Sequence, residues 1–267
     1  MAIKIAIANQ KGGIGKTTTA LCLAAALQRK GKKVLFIDTD PQMSATGVYG
    51  AVTNDIETLY NMVVPDRETG ECLDASQCIQ NCALGHIIPS DDLLKRAETS
   101  IPVDSDRFYR LGDACKNIEK HYDYIVFDTP PGDGVLLGNV LSYTDYIVMP
   151  ITADKFGIQG MLAFNETLNT FKKRINPGVK IAGILEVKYK GRQTLTKDLE
   201  SKLIPKNAED MDTIVFKTKI RESVKCQEAQ ALGESIFEYA SSCTTAKDYI
   251  AFCDELLARI KKLEGKK

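Results

Sequence analysis

The sequence predicts an α/β domain built on a doubly wound, mostly parallel sheet. Three observations predict it. Short apolar runs alternate with longer stretches of helical periodicity, the pattern of successive βαβ units. Two of the apolar runs end on aspartates, Asp38 and Asp128, which gathers acids at one carboxyl edge of a parallel sheet. A glycine-rich loop separates the first apolar run from the first helical stretch, and parallel strands of this kind need helices on both faces.

In chain order, Ile3–Ala8 reads as the first strand and Lys16–Lys30 as the first helix. Leu21, Leu23, Ala24 and Leu27 supply that helix with apolar residues, and Gly31 stops it. Val34–Ile37 forms a second strand ending on Asp38, and Tyr124–Phe127 another ending on Asp128. Tyr146–Met149 stops before Pro150; Ile181–Val187 and Thr213–Phe216 complete the expected strand set. Thr244–Lys262 has the periodicity of a closing amphipathic helix. The stretch from Asn54 to Asp106, with Pro65, Gly70, Pro89 and Pro102, suggests irregular helices and loops within the same domain. No linker, repeat or low-complexity tract divides the chain, so residues 1–267 are expected to form one domain.

Bulk properties exclude several classes. With 35 basic and 35 acidic residues the net charge is zero, which excludes a uniformly basic nucleic-acid binder but not a local basic patch. No stretch approaches the roughly 18 apolar residues of a membrane span, and the amino terminus carries no signal-peptide pattern, so a cytoplasmic protein is expected. The eight cysteines include no C-x-x-C pair and read as reduced thiols. Cys78, Cys82 and His86 are spaced four apart and would share one face of a helix. They lack a fourth ligand, and ordinary thiols explain them better than a metal site.

The chemistry concentrates in Gln10-Lys11-Gly12-Gly13-Ile14-Gly15-Lys16-Thr17-Thr18, where strand gives way to helix. Glycines let the backbone wrap a polyphosphate with its N–H groups turned inward, and the following helix adds its positive end. Lys16 is placed to bridge β- and γ-phosphates, and the Thr17 hydroxyl to ligate Mg²⁺. The six fixed residues of K-G-G-x-G-K-T arise by chance in such a chain on the order of once in 10⁵. This is a P-loop, and it implies an ATPase with ATP and Mg²⁺ as cofactors, bound through Lys11, Gly12, Gly13, Gly15, Lys16, Thr17 and Thr18. Asp128, an acid at the end of an apolar strand, is costly to bury unless it serves a cation, as Walker B acids do. Asp38 and Asp40 point the same way from an extended segment.

Gln10 stands where the general P-loop has glycine, and Lys11 adds a second lysine. This deviant form resembles the ParA/MinD family of dimeric ATPases. Asp38-Thr39-Asp40-Pro41-Gln42 is similar to the switch element of the ParA/Soj branch, and Asp128-Thr129-Pro130-Pro131 to its Walker B ending. The similarity continues through Pro150, Gly160, Tyr189-Lys190-Gly191-Arg192 and Val224–Ala229, and is loose only between Asn54 and Asp106. The resemblance implies that Thr17, Asp38 and Asp128 serve Mg²⁺, that Asp40 orients the attacking water, and that Lys11 reaches the phosphates of a second protomer. It further implies a homodimer on ATP binding, nonspecific DNA binding, nucleoid association, and a ParB-like centromere-binding partner that stimulates hydrolysis.

The DNA-facing positions are expected at Arg192 and Lys225, within a late run of cations: Lys172, Lys173, Arg174, Lys188, Lys190, Lys217, Lys219 and Arg221. Lys190 stands where the family has an acid, and Glu222 where it has arginine. The alternative is a MinD-like, membrane-associated positioning ATPase. The tail Leu263-Glu264-Gly265-Lys266-Lys267 has no apolar face for that role, so membrane docking is not expected. A redox relative on this scaffold would need a cysteine shortly after Asp128, and Thr129 to Leu141 contains none.

Overall fold

The computed structural model describes residues 1–190 and 199–265. Seven strands form one sheet: β1 (Ile3–Ile7), β2 (Val34–Asp38), β3 (Gln80–Cys82), β4 (Gly85–Ile88), β5 (Tyr124–Asp128), β6 (Tyr146–Ile151) and β7 (Lys180–Glu186). Their order across the sheet is β3-β4-β2-β5-β1-β6-β7, and every neighbouring pair is parallel except β3–β4. The helices are α1 (Lys16–Arg29), α2 (Ser44–Tyr49), α3 (Leu59–Val63), α4 (Ala97–Ser100), α5 (Arg110–Cys115) and α6 (Val135–Tyr143). They continue with α7 (Lys155–Arg174), α8 (Ile204–Asp210), α9 (Val224–Ala231), α10 (Ile236–Tyr239) and α11 (Thr244–Glu264).

The central strands are buried on both faces, and their period of two divides the core in half. Leu35, Ile37, Ile125 and Phe127 pack with α6 and α7 through Val140, Leu141, Met161 and Phe164. Val34, Phe36, Tyr124 and Val126 pack with α1 and α11 through Leu23, Leu27, Phe252 and Leu256. Each fully buried side chain of this size contributes roughly 1.5–3 kcal/mol, so the two-faced pattern is what makes the sheet doubly wound.

Three local expectations are corrected. Thr213–Phe216 is not a strand: one bridge joins Val215 to Ile184, and the segment otherwise lies as an extended arm along β7. β6 runs through Pro150 to Ile151, because its ladder with β1 ends at Val148 and the proline therefore continues beside β7 alone. Between Asn54 and Asp106 the short helices are joined by the β3–β4 hairpin, whose turn brings Cys82 opposite Gly85 and whose β4 extends the sheet beside β2. Cys78, Cys82 and His86 thus occupy a turn and two strands rather than one helical face, and the His86 ring lies 2.8 Å from the Tyr122 hydroxyl.

Candidate active site

β1 leads into the loop, and the backbone is tied down before the glycines begin. The Asn9 side chain accepts from the Lys11 N–H at 3.1 Å and donates to the Pro150 carbonyl at 2.9 Å, which fixes the loop to the end of β6. Gly13 (φ 71°) and Gly15 (φ 83°) are left-handed, a conformation that would strain any L side chain. α1 starts at Lys16 with no side-chain cap, so its first N–H groups face the loop as an anion site. Gly160 brings α7 against the loop, where a Cβ would meet Lys11 Cβ at 3.0 Å.

The sheet register sets Asp38 directly opposite Asp128, and Ile7 opposite Asp128 on the other side. The Thr39 hydroxyl donates to the Asp128 carbonyl at 2.6 Å, and the Thr129 hydroxyl to that of Ile7 at 2.8 Å, stitching the three strand ends together. Both acids are fully buried. Asp38 accepts from the Asp40 N–H at 3.1 Å and from the Thr46 N–H and hydroxyl at 2.8 and 2.7 Å. Burial nevertheless pushes its carboxyl up to about 6, the donated hydrogen bonds pulling the other way. Asp128 is pushed well above the carboxylate range, first by burial and then by the charge of Asp38. The Thr17 hydroxyl approaches it and eases its ionisation, but neither Asp128 oxygen closes a hydrogen bond of normal geometry. A buried carboxylate with two orphaned oxygens beside a threonine hydroxyl suits a hard cation.

Lys16 is nearly buried, and its ammonium donates to the Lys11 carbonyl at 3.1 Å. Burial lowers its pKa, opposed by the charges of Asp128 and Asp40, so the three groups converge. A cavity of about 430 Å³ opens over Lys16 and Asp40, lined by Gly12, Gly13, Gly15, Lys16, Thr17 and Thr18 on one side. Asp40, Gln42, Lys188 and Gln230 are among the residues that complete it. Asp40 accepts from the Gln42 N–H at 2.9 Å through its side chain.

Sequence reasoning missed the residues that hold these groups. Ser90 donates from its N–H to the Thr46 hydroxyl at 3.0 Å and from its own hydroxyl to the Asp40 carbonyl at 2.8 Å, linking the end of β4 to both acids of the switch element. Gln230 of α9 donates to the Thr18 hydroxyl at 3.1 Å. No spacing in the sequence signals these partners, because they meet only through the strand order.

Lys11 points away from the cradle. Its ammonium lies 3.2 Å from Asp154, the N-cap of α7, and 5.7 Å from the centre of the Phe156 ring. Of the expected DNA-facing pair, Arg192 lies outside the described residues. Lys225 is exposed on α9 and pairs with Glu228 at 2.8 Å. Lys190 pairs with Glu222 at 2.9 Å, and the Arg221 guanidinium grips both carboxylate oxygens of Asp248. Among the described residues no group of three or more His, Cys, Asp or Glu side chains is arranged to hold a metal by itself.

The AAA domain family model matches residues 2–181. The chain is 32% identical to the sporulation initiation inhibitor protein Soj of Bacillus subtilis over 255 residues, covering 95% of this chain and 98% of Soj. Among solved structures it is similar to cobyrinic acid a,c-diamide synthase from Mycobacterium smegmatis with bound ADP and magnesium. That match has a TM-score of 0.80 and 25% identity, covering 98% of this chain and 96% of that one. A plasmid partition protein from Borrelia burgdorferi bound to AMPPNP matches with a TM-score of 0.73 and 26% identity, covering 98% and 99%.

Proposed function

The chain belongs to the ParA/Soj family of P-loop ATPases, and we propose that it is a cytoplasmic, Mg²⁺-dependent partitioning switch that dimerises on ATP. In this reading the ATP-bound homodimer sits on nonspecific DNA of the nucleoid, and a ParB-like partner resets it by stimulating hydrolysis. The observation that carries it is the pair of lysines on one loop. Lys16 occupies the cradle beside Asp128 and Asp40, whereas Lys11 is held outside it. A lysine directed away from a cradle that Lys16 already fills is placed to exchange its Asp154 partner for the phosphates of a second protomer, as an arginine finger does in trans.

The residues divide the work. Gly12, Gly13, Gly15 and Thr18 surround the phosphates, and Lys16 neutralises their charge. Thr17 and Asp128 hold the cation, with Asp38 oriented by Thr46 to support it; Mg²⁺, when bound, balances charge on the β- and γ-phosphates. Asp40 faces the same cavity and positions the water. Magnesium and ADP in the similar Mycobacterium smegmatis protein support this assignment. The membrane alternative would need an apolar face on the closing helix, whereas Leu256 and Ile260 of α11 are buried and Leu263 packs against the same core.

Sedimentation velocity tests the reading. Wild-type protein should shift from monomer to dimer with ATP and Mg²⁺, whereas Lys11→Ala should bind ATP, stay monomeric and not hydrolyse it. Normal ATP-dependent dimers of Lys11→Ala would remove the trans role.

A further inference from the structure

Lys188 sits two residues beyond the end of β7, among the late cations that the sequence groups as a possible basic patch. The structure leaves it exposed but turns its side chain toward the P-loop. Its ammonium donates to the carbonyl oxygen of Gly13 at 2.7 Å, and its side chain lines the nucleotide cavity opposite α1. Its backbone is left-handed, with φ 55°, which a lysine adopts only when its surroundings impose it.

The surroundings do so from both sides. Before it, the Val187 N–H donates to the Ile151 carbonyl at 2.8 Å; after it, the Tyr189 N–H donates to that of Ile220 at 2.9 Å. Tyr189 also forms an isolated bridge with Arg221, and the Lys219 ammonium stacks 4.5 Å from the centre of its ring. Lys188 is therefore delivered to the P-loop by fixed main chain, not by a freely rotating loop.

The contact matters because of what Gly13 is. A glycine peptide rotates with little steric resistance, and a rotated peptide presents its oxygen rather than its N–H to an anion. No peptide here is cis, so the Gly13 carbonyl and the Ile14 N–H point in opposite directions across one plane. Holding the carbonyl therefore fixes the direction of that N–H.

We infer that Lys188 is a positioning residue of the nucleotide site, pinning the Gly13–Ile14 peptide in the orientation that receives a polyphosphate. Its effect reaches ligand through the loop, and its cation is engaged at the P-loop rather than offered to DNA. The inference rests on the nucleotide reading of the same cavity, which titration of the wild-type protein with ADP tests separately.

The experiment compares wild type, Lys188→Ala and Lys188→Arg. ADP and inorganic tripolyphosphate are titrated against each, and hydrogen–deuterium exchange of the P-loop peptide is followed without ligand. Lys188→Ala should weaken ADP and tripolyphosphate together by about fivefold, the scale of one partly exposed charged hydrogen bond. It should also raise exchange at the P-loop before any ligand is added. Lys188→Arg, which retains a cationic donor, should restore both readouts. Affinities of Lys188→Ala within twofold of wild type would overturn the inference. So would unchanged P-loop exchange, or a loss for ADP without a loss for tripolyphosphate.

Discussion

At Asp128 both carboxylate oxygens are buried without a hydrogen-bond partner, and at Asp38 every acceptor bond comes from Asp40 and Thr46. The difference fits the two proposed roles, one acid braced by protein and the other available to a cation. It also predicts a pH dependence. Folding raises the Asp38 carboxyl from 3.8 to about 6, so between these values the native state holds more protons than the unfolded chain. The Asp38 contribution to the stability of the cation-free protein therefore falls as pH rises through that window, by up to about 3 kcal/mol, and Asp128, raised further by burial and by Asp38, adds to the fall. Thermal unfolding in chelator at pH 4.5, 5.5 and 6.5 should show this, and Asp38→Asn should make the slope shallower, leaving the part that buried Asp128 contributes; an unchanged slope would discount the burial argument. The proposed roles of Lys16 and Asp40 should separate kinetically. Lys16→Gln should abolish nucleotide binding, because it removes the cation held in the cradle. Asp40→Ala should keep ATP binding within about threefold while turnover drops about 100-fold, since placing water acts on the transition state. Equal loss of ATP affinity in both variants would contradict that division. The motif residues were legible because P-loop chemistry fixes their spacing along the chain. Thr46, Ser90 and Lys188 were not, because they reach the site through strand order and a left-handed backbone that spacing does not encode.

At the scale of elements, apolar runs identified β1, β2, β5, β6 and β7 because strands buried on both faces leave an unmistakable composition. The same criterion misled at Thr213–Phe216. That segment is apolar because it covers β7, with Phe216 packed edge-on to Phe252 at 5.1 Å, not because it joins a ladder. The β3–β4 hairpin escaped notice for the opposite reason: its strands are three and four residues long and mostly polar or small on β3. The packing of the arm on β7 gives a direct test. A Cβ added at Gly183 would stand 2.5 Å from the Phe216 ring, inside van der Waals contact. Gly183→Ala should cost about 1–3 kcal/mol by overpacking. In a chain of this size that lowers Tm by roughly 3–10 °C, readable by calorimetry. Adding Phe216→Leu should recover part of the loss, since the two positions are in contact. A double variant no more stable than Gly183→Ala would show that the strain lies elsewhere.

For the whole molecule, the 35 basic and 35 acidic residues cancel, so no long-range field draws it to a polyanion and any DNA contact depends on a few local cations. The structure narrows that set further. Arg221 is committed to Asp248, Lys190 to Glu222 and Lys188 to Gly13, while Lys225 is exposed and shares its charge with Glu228 on its own helix. Composition could not reveal this pairing, because the acids that quench these cations come from α9, α11 and the segment before α9. The consequence is quantitative. If the ATP-bound dimer contacts phosphates through Arg192 and Lys225 of each protomer, about four cations are engaged, and log K should fall with log salt at a slope of about −3.6. Lys225→Ala removes two of the four and should reduce the slope to about −1.8, weakening binding alike on unrelated sequences. Turnover without DNA should be unchanged. Glu228→Gln frees Lys225 from its partner and should tighten binding at low salt. The measurement is a salt titration of ATP-bound dimer on two duplexes of unrelated sequence. A wild-type dimer that binds neither duplex at low ionic strength would remove DNA from the proposed function while leaving the ATP switch standing. A slope insensitive to Lys225→Ala would move the contact to another face.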